Sequence, residues 1–173
     1  AAAVFAPQKG ASPEQIIMLD NQLCLWSDLL KQNTGKDITQ LKHGGAAGGI
    51  TAAMYALLNA QLISGSEYCL TLSRFHDNLL QAGVVITGEG KIDLQSFYGK
   101  IPGTVANLCQ KHNVPVYAVV GLAEKQVLTR FDKVFIMSQY TRSIQDSIKN
   151  APHYLKIISQ AIVDTLYLSA YSD

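Results

Sequence analysis

The residues best suited to chemistry lie between Thr87 and Lys100, which read Thr-Gly-Glu-Gly-Lys-Ile-Asp-Leu-Gln-Ser-Phe-Tyr-Gly-Lys. Carboxylates, ammonium groups, hydroxyl groups and glycines are packed into one short stretch. Glu89 and Asp93 are the kind of groups that bind Mg²⁺ or take a proton from an attacking hydroxyl. Lys91 and Lys100 can neutralise phosphate charge, and the glycines let backbone N–H groups come close to an anion. The plain alternative is a solvated turn, because Gly, Asp and Lys are ordinary loop residues.

Two further segments could meet an anion. Gly44-Gly45-Ala46-Ala47-Gly48-Gly49 opens a helical stretch, where free N–H groups and the positive helix end favour phosphate. No Gly-Lys-Ser/Thr follows it and no clear strand precedes it, so it is neither a Walker A loop nor a Rossmann fingerprint. Close helix packing explains the glycines equally well. Pro7-Gln8-Lys9-Gly10-Ala11-Ser12 sets Lys9 beside a helix start, where an anion site and a simple cap both fit. His43, His76, His112 and His153 show no ligand spacing, which argues against zinc. No nucleophile-elbow signature is present.

These groups need elements to position them. Ala1 to Phe5 reads as a short strand ended by Pro7. Ser12-Pro13-Glu14-Gln15 is a capping box, and Ile16, Leu19, Leu23, Trp26 and Leu30 follow at spacings that predict one buried helical face ending at Gly35. Ile50 to Leu62 is uncharged and too short to span a bilayer, which predicts a buried core helix. Tyr68 to Leu80 fits a strand at its start and a helix at its end. Val84-Val85-Ile86 predicts a buried strand that enters a loop at Thr87. A helix follows at Ile101 to His112, with Gly103 a weak point, then a buried strand at Val114 to Gly121. Glu124 to Arg130 reads as helix, Val134 to Met137 as strand and Pro152 to Leu168 as a last helix. Strands alternating with helices predict an α/β fold with a parallel, doubly wound sheet, and ligands outside the carboxyl ends of its strands.

Composition narrows the function. Hydrophobic residues make up 48% of the 173 residues and charged residues only 16%, which excludes a disordered chain. The formal charge of +1 leaves no counterion-release footprint for nucleic acid. Nothing in the hydropathy predicts a membrane span, and the first residues lack the basic start of a secretory signal. Cys24, Cys69 and Cys109 are odd in number and widely spaced, which predicts reduced thiols and a cytoplasmic protein. The chain lacks an initiator Met and opens inside a regular element, so a piece of a longer protein is expected.

In order, the three segments resemble the bacterial glycerate kinase family, whose motifs are close to GPQKGA, GAAGG and ITGEGxxDxQSxxGKxP. Here they stand as Ala6 to Ala11, Gly45 to Gly49, and Ile86 to Pro102. Only the C-terminal half of the family pattern is matched; its Asp-Ser-Phe-Lys-Gly and Asp-Gly-Gly-Glu-Gly motifs are absent. Ala6 replaces a common glycine, and His43-Gly44 leads into the glycine loop. The resemblance implies ATP-dependent phosphorylation of glycerate to phosphoglycerate with Mg²⁺. It further implies two α/β domains, one discontinuous in sequence, with the active site between them. Residues 1–80 would be part of an inserted α/β domain, and residues 81–173 the C-terminal part of a Rossmann-like, nucleotide-binding-like domain. Partners would be glycerate and the missing N-terminal half, with a homodimer admitted. The candidates are Glu89, Asp93 and Lys100 for catalysis, and Glu89 and Asp93 for the metal. Lys9, Gly45, Gly48, Gly49, Thr87, Gly88, Gly90 and Ser96 are candidates for substrate or phosphate.

Two other readings stay open: an α/β module that binds a phosphorylated metabolite without turnover, and an interaction segment whose apolar surface meets the missing half.

Overall fold

The computed structural model describes residues 2–170. They divide into two compact units, one up to Ser64 and one from Gly65 onward. Among the described residues no helix is long and apolar enough to cross a membrane.

The first unit is helical. Ala2–Phe5 forms α1, not the expected strand; Ala1, the first residue of that expected strand, lies outside the described residues. Alanine is the strongest helix former, and Ala6 N–H donates to Ala2 O at 2.9 Å to close the turn. Helix α2 spans Pro13–Thr34 behind the expected capping box, in which Ser12 and Gln15 exchange hydrogen bonds. Gly35 ends it in the left-handed region at φ 74°, with its N–H on Lys31 O. The expected face is less buried than its spacing suggests. Leu30 is buried, Ile16 and Leu23 are half-buried, and Leu19 and Trp26 remain exposed.

Helix α3, Ile50–Leu58, also departs from expectation. It stops four residues before Leu62, at a left-handed Asn59, and Lys36 Nζ caps its end on Tyr55 O and Asn59 Oδ1. Only Ala52 and Ala56 are buried, while Ile50, Leu57 and Leu58 are exposed. An uncharged sequence is therefore not a buried helix here. Small side chains make its buried contacts, Tyr55 is half-buried under Lys36, and the large aliphatic side chains are exposed.

The second unit is the α/β part. Its sheet runs in the order β1-β2-β3, all parallel, with β1 at Val85–Ile92, β2 at Val116–Ala123 and β3 at Lys133–Ile136. The ambiguous stretch resolves into two helices, α4 at Gly65–Leu72 and α5 at Phe75–Leu79, separated by a left-handed Arg74. Helix α6 is Ile101–His112, α7 is Ile144–Lys149 and α8 is Ala151–Ala170. The expected helix at Glu124 is a 3-10 segment, Lys125–Arg130.

Alternation along β2 explains the double winding. Val116, Ala118 and Val120 pack with Leu70, Leu79, Val105, Ala106 and Cys109 on one face. Tyr117 and Val119 pack with Met137, Ile158 and Ile162 on the other. A central parallel strand is covered on both sides and so reads as an unbroken apolar run.

Burial pushes the Cys109 thiol up to about 11, whereas Cys24 and Cys69 are exposed. We expect a thiol reagent at pH 8 to label two cysteines quickly and the third only on unfolding, because thiolate is the reactive form. Mass spectrometry of the labelled native protein checks this. Rapid labelling of all three would contradict the packing of α6 on the sheet.

Candidate functional site

Strand β1 does not end at Ile86. Thr87, Gly88 and Glu89 pair with Ala118, Val119 and Val120 of β2, so the expected loop is the second half of a strand. Gly88 is required by this pairing: a Cβ there would lie 2.8 Å from Val119 O. The glycine serves close strand approach and not loop mobility. Ladder pairing carries the chain to Ile92, beyond which Asp93 turns it.

Glu89 sits just past the middle of β1, with its side chain 22% exposed. Lys100 Nζ donates to its Oε1 at 2.9 Å, and Ser96 Oγ donates to its Oε2 at 2.7 Å. Lys100 is the N-cap residue of α6, so its ammonium group and the helix N-terminus put positive charge on the same end of the element.

Asp93 has a different task. It caps the 3-10 turn Leu94–Phe97, with Oδ1 accepting from Gln95 N–H at 2.9 Å. Its own N–H donates to Ser96 Oγ at 3.2 Å. Lys91 Nζ lies 3.5 Å from Asp93 Oδ2 and 3.0 Å from Glu124 Oε1. The hydrogen bond to Glu124 holds the Lys91 ammonium above its ordinary value, and the same bond holds the Glu124 carboxyl below the usual carboxylate range.

Glu89, Asp93, Ser96 and Lys100 are thus brought into one linked set, with Lys91 and Glu124 at its edge. Glu124 was missed by sequence reasoning. It follows the end of β2 directly, and the rule that ligands lie at strand carboxyl ends could have pointed to it.

A groove of about 1060 Å³ runs along β1 and β2 beside α7 and α8. Thr87, Gly88, Glu89 and Gly90 line it, together with Gly121, Ile148 and Leu155, so its character is mainly apolar. Asp93 lies outside that lining, so the groove meets Glu89 and not Asp93. Mg²⁺ held by one or two carboxylates would share them with the groups that already bond to them. Lys100 and Ser96 occupy the Glu89 oxygens, while Lys91 and Gln95 N–H engage Asp93. Among the described residues no cluster of three or more His, Cys, Asp or Glu is placed to hold a metal ion.

Ser96 also departs from expectation. It is fully buried and its hydroxyl is committed on both sides, so no donor remains for phosphate.

The remaining candidates lie in the first unit. Lys9 is exposed at the end of a 3-10 turn, Pro7–Lys9. The glycine loop turns through left-handed φ values at His43, Ala47, Gly48 and Gly49, and Thr51 Oγ1 ties it by donating to His43 O at 2.8 Å. Gly45 and Gly49 line a pocket of about 360 Å³; Gly48 does not. Asp20 and Asp28 line the same pocket, and their charge works against an anion there.

Comparison with known proteins agrees with these motifs. The model of the glycerate kinase family matches residues 1–167. A glycerate kinase of Halalkalibacterium halodurans is 43% identical over 121 residues, 70% of this chain and 32% of that protein. A glycerate 2-kinase of Escherichia coli K12 is 41% identical over the same length, again 70% of this chain and 32% of that protein. A glycerate kinase of Haemophilus influenzae is 34% identical over 170 residues, 96% of this chain and 45% of that protein. A crystal structure from Salmonella typhimurium LT2, described as a candidate glycerate kinase 2, superposes with TM-score 0.63 at 37% identity. It covers 98% of this chain and 45% of that one. The matched part of the chain therefore spans 32% to 45% of the length of these relatives. With the motif from Ile86 to Pro102 built into the end of a parallel sheet, and relatives of one kind along its length, the chain belongs to the glycerate kinase family.

Proposed function

We propose that these residues form part of an ATP-dependent glycerate kinase that transfers the γ-phosphoryl group to a hydroxyl of glycerate. The observation that carries this reading is the Glu89–Lys100 pair in the carboxyl half of β1, in a chain of this family. Phosphoryl transfer asks little covalent chemistry of a protein, so positioning and charge do most of the work. A glycerate hydroxyl oxygen bonds to the γ-phosphorus while the bond from that phosphorus to the β–γ bridging oxygen breaks and ADP leaves. Glu89 takes the hydroxyl proton. Each of its oxygens keeps a further lone pair beyond the bonds it already makes. Lys100, half-exposed, offers positive charge to the phosphate. Thr87, Gly88 and Gly90 line the adjoining groove and are the nearer phosphate candidates. Three free cysteines support a cytoplasmic setting.

The test is transfer of label from γ-labelled ATP to glycerate by the full-length protein carrying these residues. Phosphoglycerate should form. Tight binding of both ligands without turnover would instead favour a non-catalytic metabolite-binding module.

We also propose that an N-terminal portion completes the second unit. Among the described residues its sheet has three strands, fewer than most, and β1 lies at an edge with Ile86 exposed. Ile148, Leu155, Val163 and Leu168 are exposed on α7 and α8. Residues 1–173 expressed alone should associate in light scattering and show no kinase turnover. A monodisperse, fully active monomer would overturn this.

A further inference from the structure

We infer that Ser96 is a positioning residue that aims Glu89, and not a ligand for phosphate. The inference rests on the reading of Glu89 as the group that receives the hydroxyl proton. Ser96 is fully buried, and its single hydroxyl proton goes to Glu89 Oε2 at 2.7 Å. Its oxygen accepts the Asp93 N–H at 3.2 Å, which fixes the direction of that proton. Among the described residues the Glu89 carboxylate is otherwise held only by Lys100, a long and half-exposed side chain that loses much rotamer freedom when it is pinned. One buried, doubly held hydroxyl orients a carboxylate better than a solvated ammonium group does.

The turn that carries Ser96 is itself clamped. Asp93 caps it from the front, and α6 presses on it from behind at Gly103, where a Cβ would lie 2.2 Å from Ser96 O. Packing of α6 is thereby transmitted to the Glu89 carboxylate through one backbone contact at Ser96 and one hydrogen bond from its hydroxyl.

In the full-length protein, Ser96→Ala should lower kcat by about 10- to 100-fold, since a small misplacement of a reacting group has effects of that size. KM for ATP and for glycerate should stay within about twofold of the parent value, because uniform binding is not removed. The discriminating measurement is a cycle with Glu89→Gln. Adding Ser96→Ala to Glu89→Gln should cause no further loss, as expected of residues that act as one unit. A rise in KM at unchanged kcat would make Ser96 a ligand contact and overturn the inference, as would full additivity in the cycle. Ser96→Cys serves as the near-isosteric second variant; failure of both replacements to fold would assign Ser96 to the fold alone and overturn it too. Full turnover in Glu89→Gln would instead defeat the role given to Glu89. An inactive Glu89→Gln beside a fully active Ser96→Ala would defeat only this inference.

Discussion

Glu89→Gln should reduce kcat of the full-length enzyme by about two orders of magnitude or more, the usual worth of a positioned proton acceptor. The amide keeps the shape and one acceptor oxygen for Ser96, but it cannot take a proton, and it places an uncharged group beside Lys100. The matching change Asp93→Asn should leave kcat within a few-fold of the parent. Asp93 acts as the cap of the Leu94–Phe97 turn, and asparagine caps about as well as aspartate. Sequence spacing makes the two carboxylates equivalent candidates, whereas their hydrogen bonds separate them. Steady-state kinetics on both variants measures the separation. Equal losses would return Asp93 to the reacting centre, and an unchanged Glu89→Gln rate would remove Glu89 from it.

Strand β2 was legible because a central parallel strand buries both faces, and Val116 to Val120 reads as one apolar run. Helix α2 was legible at its ends, since Ser12, Gln15 and Gly35 have specific backbone tasks that do not depend on the rest of the fold. What failed was tertiary. Thr87 to Gly90 has the composition of a loop, and only its ladder with β2 holds it extended. Leu19 and Trp26 keep helical spacing, yet spacing cannot say whether a partner covers the face they share. At the site, the residue types of Glu89, Asp93 and Lys100 were visible, but not their division of labour. Ser96 looks the same in sequence whether its hydroxyl meets a ligand or a neighbour. One local clue was available: Asp93 with Ser96 three positions on is itself a capping pattern, and it already assigns both side chains to the turn.

Gly103 shows how a sequence weakness can be a structural requirement. Within α6 it lowers helix propensity, and Gly103→Ala would ordinarily gain about 0.5–1 kcal/mol in a helix interior. Here the added Cβ would stand 2.2 Å from Ser96 O, 2.7 Å from Phe97 Cα and 2.9 Å from Ser96 C. All three are backbone atoms of a capped turn, so no flexible side chain can swing aside. Overpacking of this kind costs about 1–3 kcal/mol and sometimes more. The overlap is severe enough to outweigh the propensity gain, and a net loss of about 2 kcal/mol or more is expected. Gly65→Ala, at the start of α4 with nothing within 4 Å of its Cβ, is the control and should be neutral or slightly stabilising. Urea unfolding midpoints compare the two directly. Because the displaced turn carries Ser96, Gly103→Ala should also lower kcat under conditions where the protein is still fully folded. A midpoint at or above the parent value would mean that α6 can move off the turn freely, and the rigid path from helix packing to Glu89 would not exist.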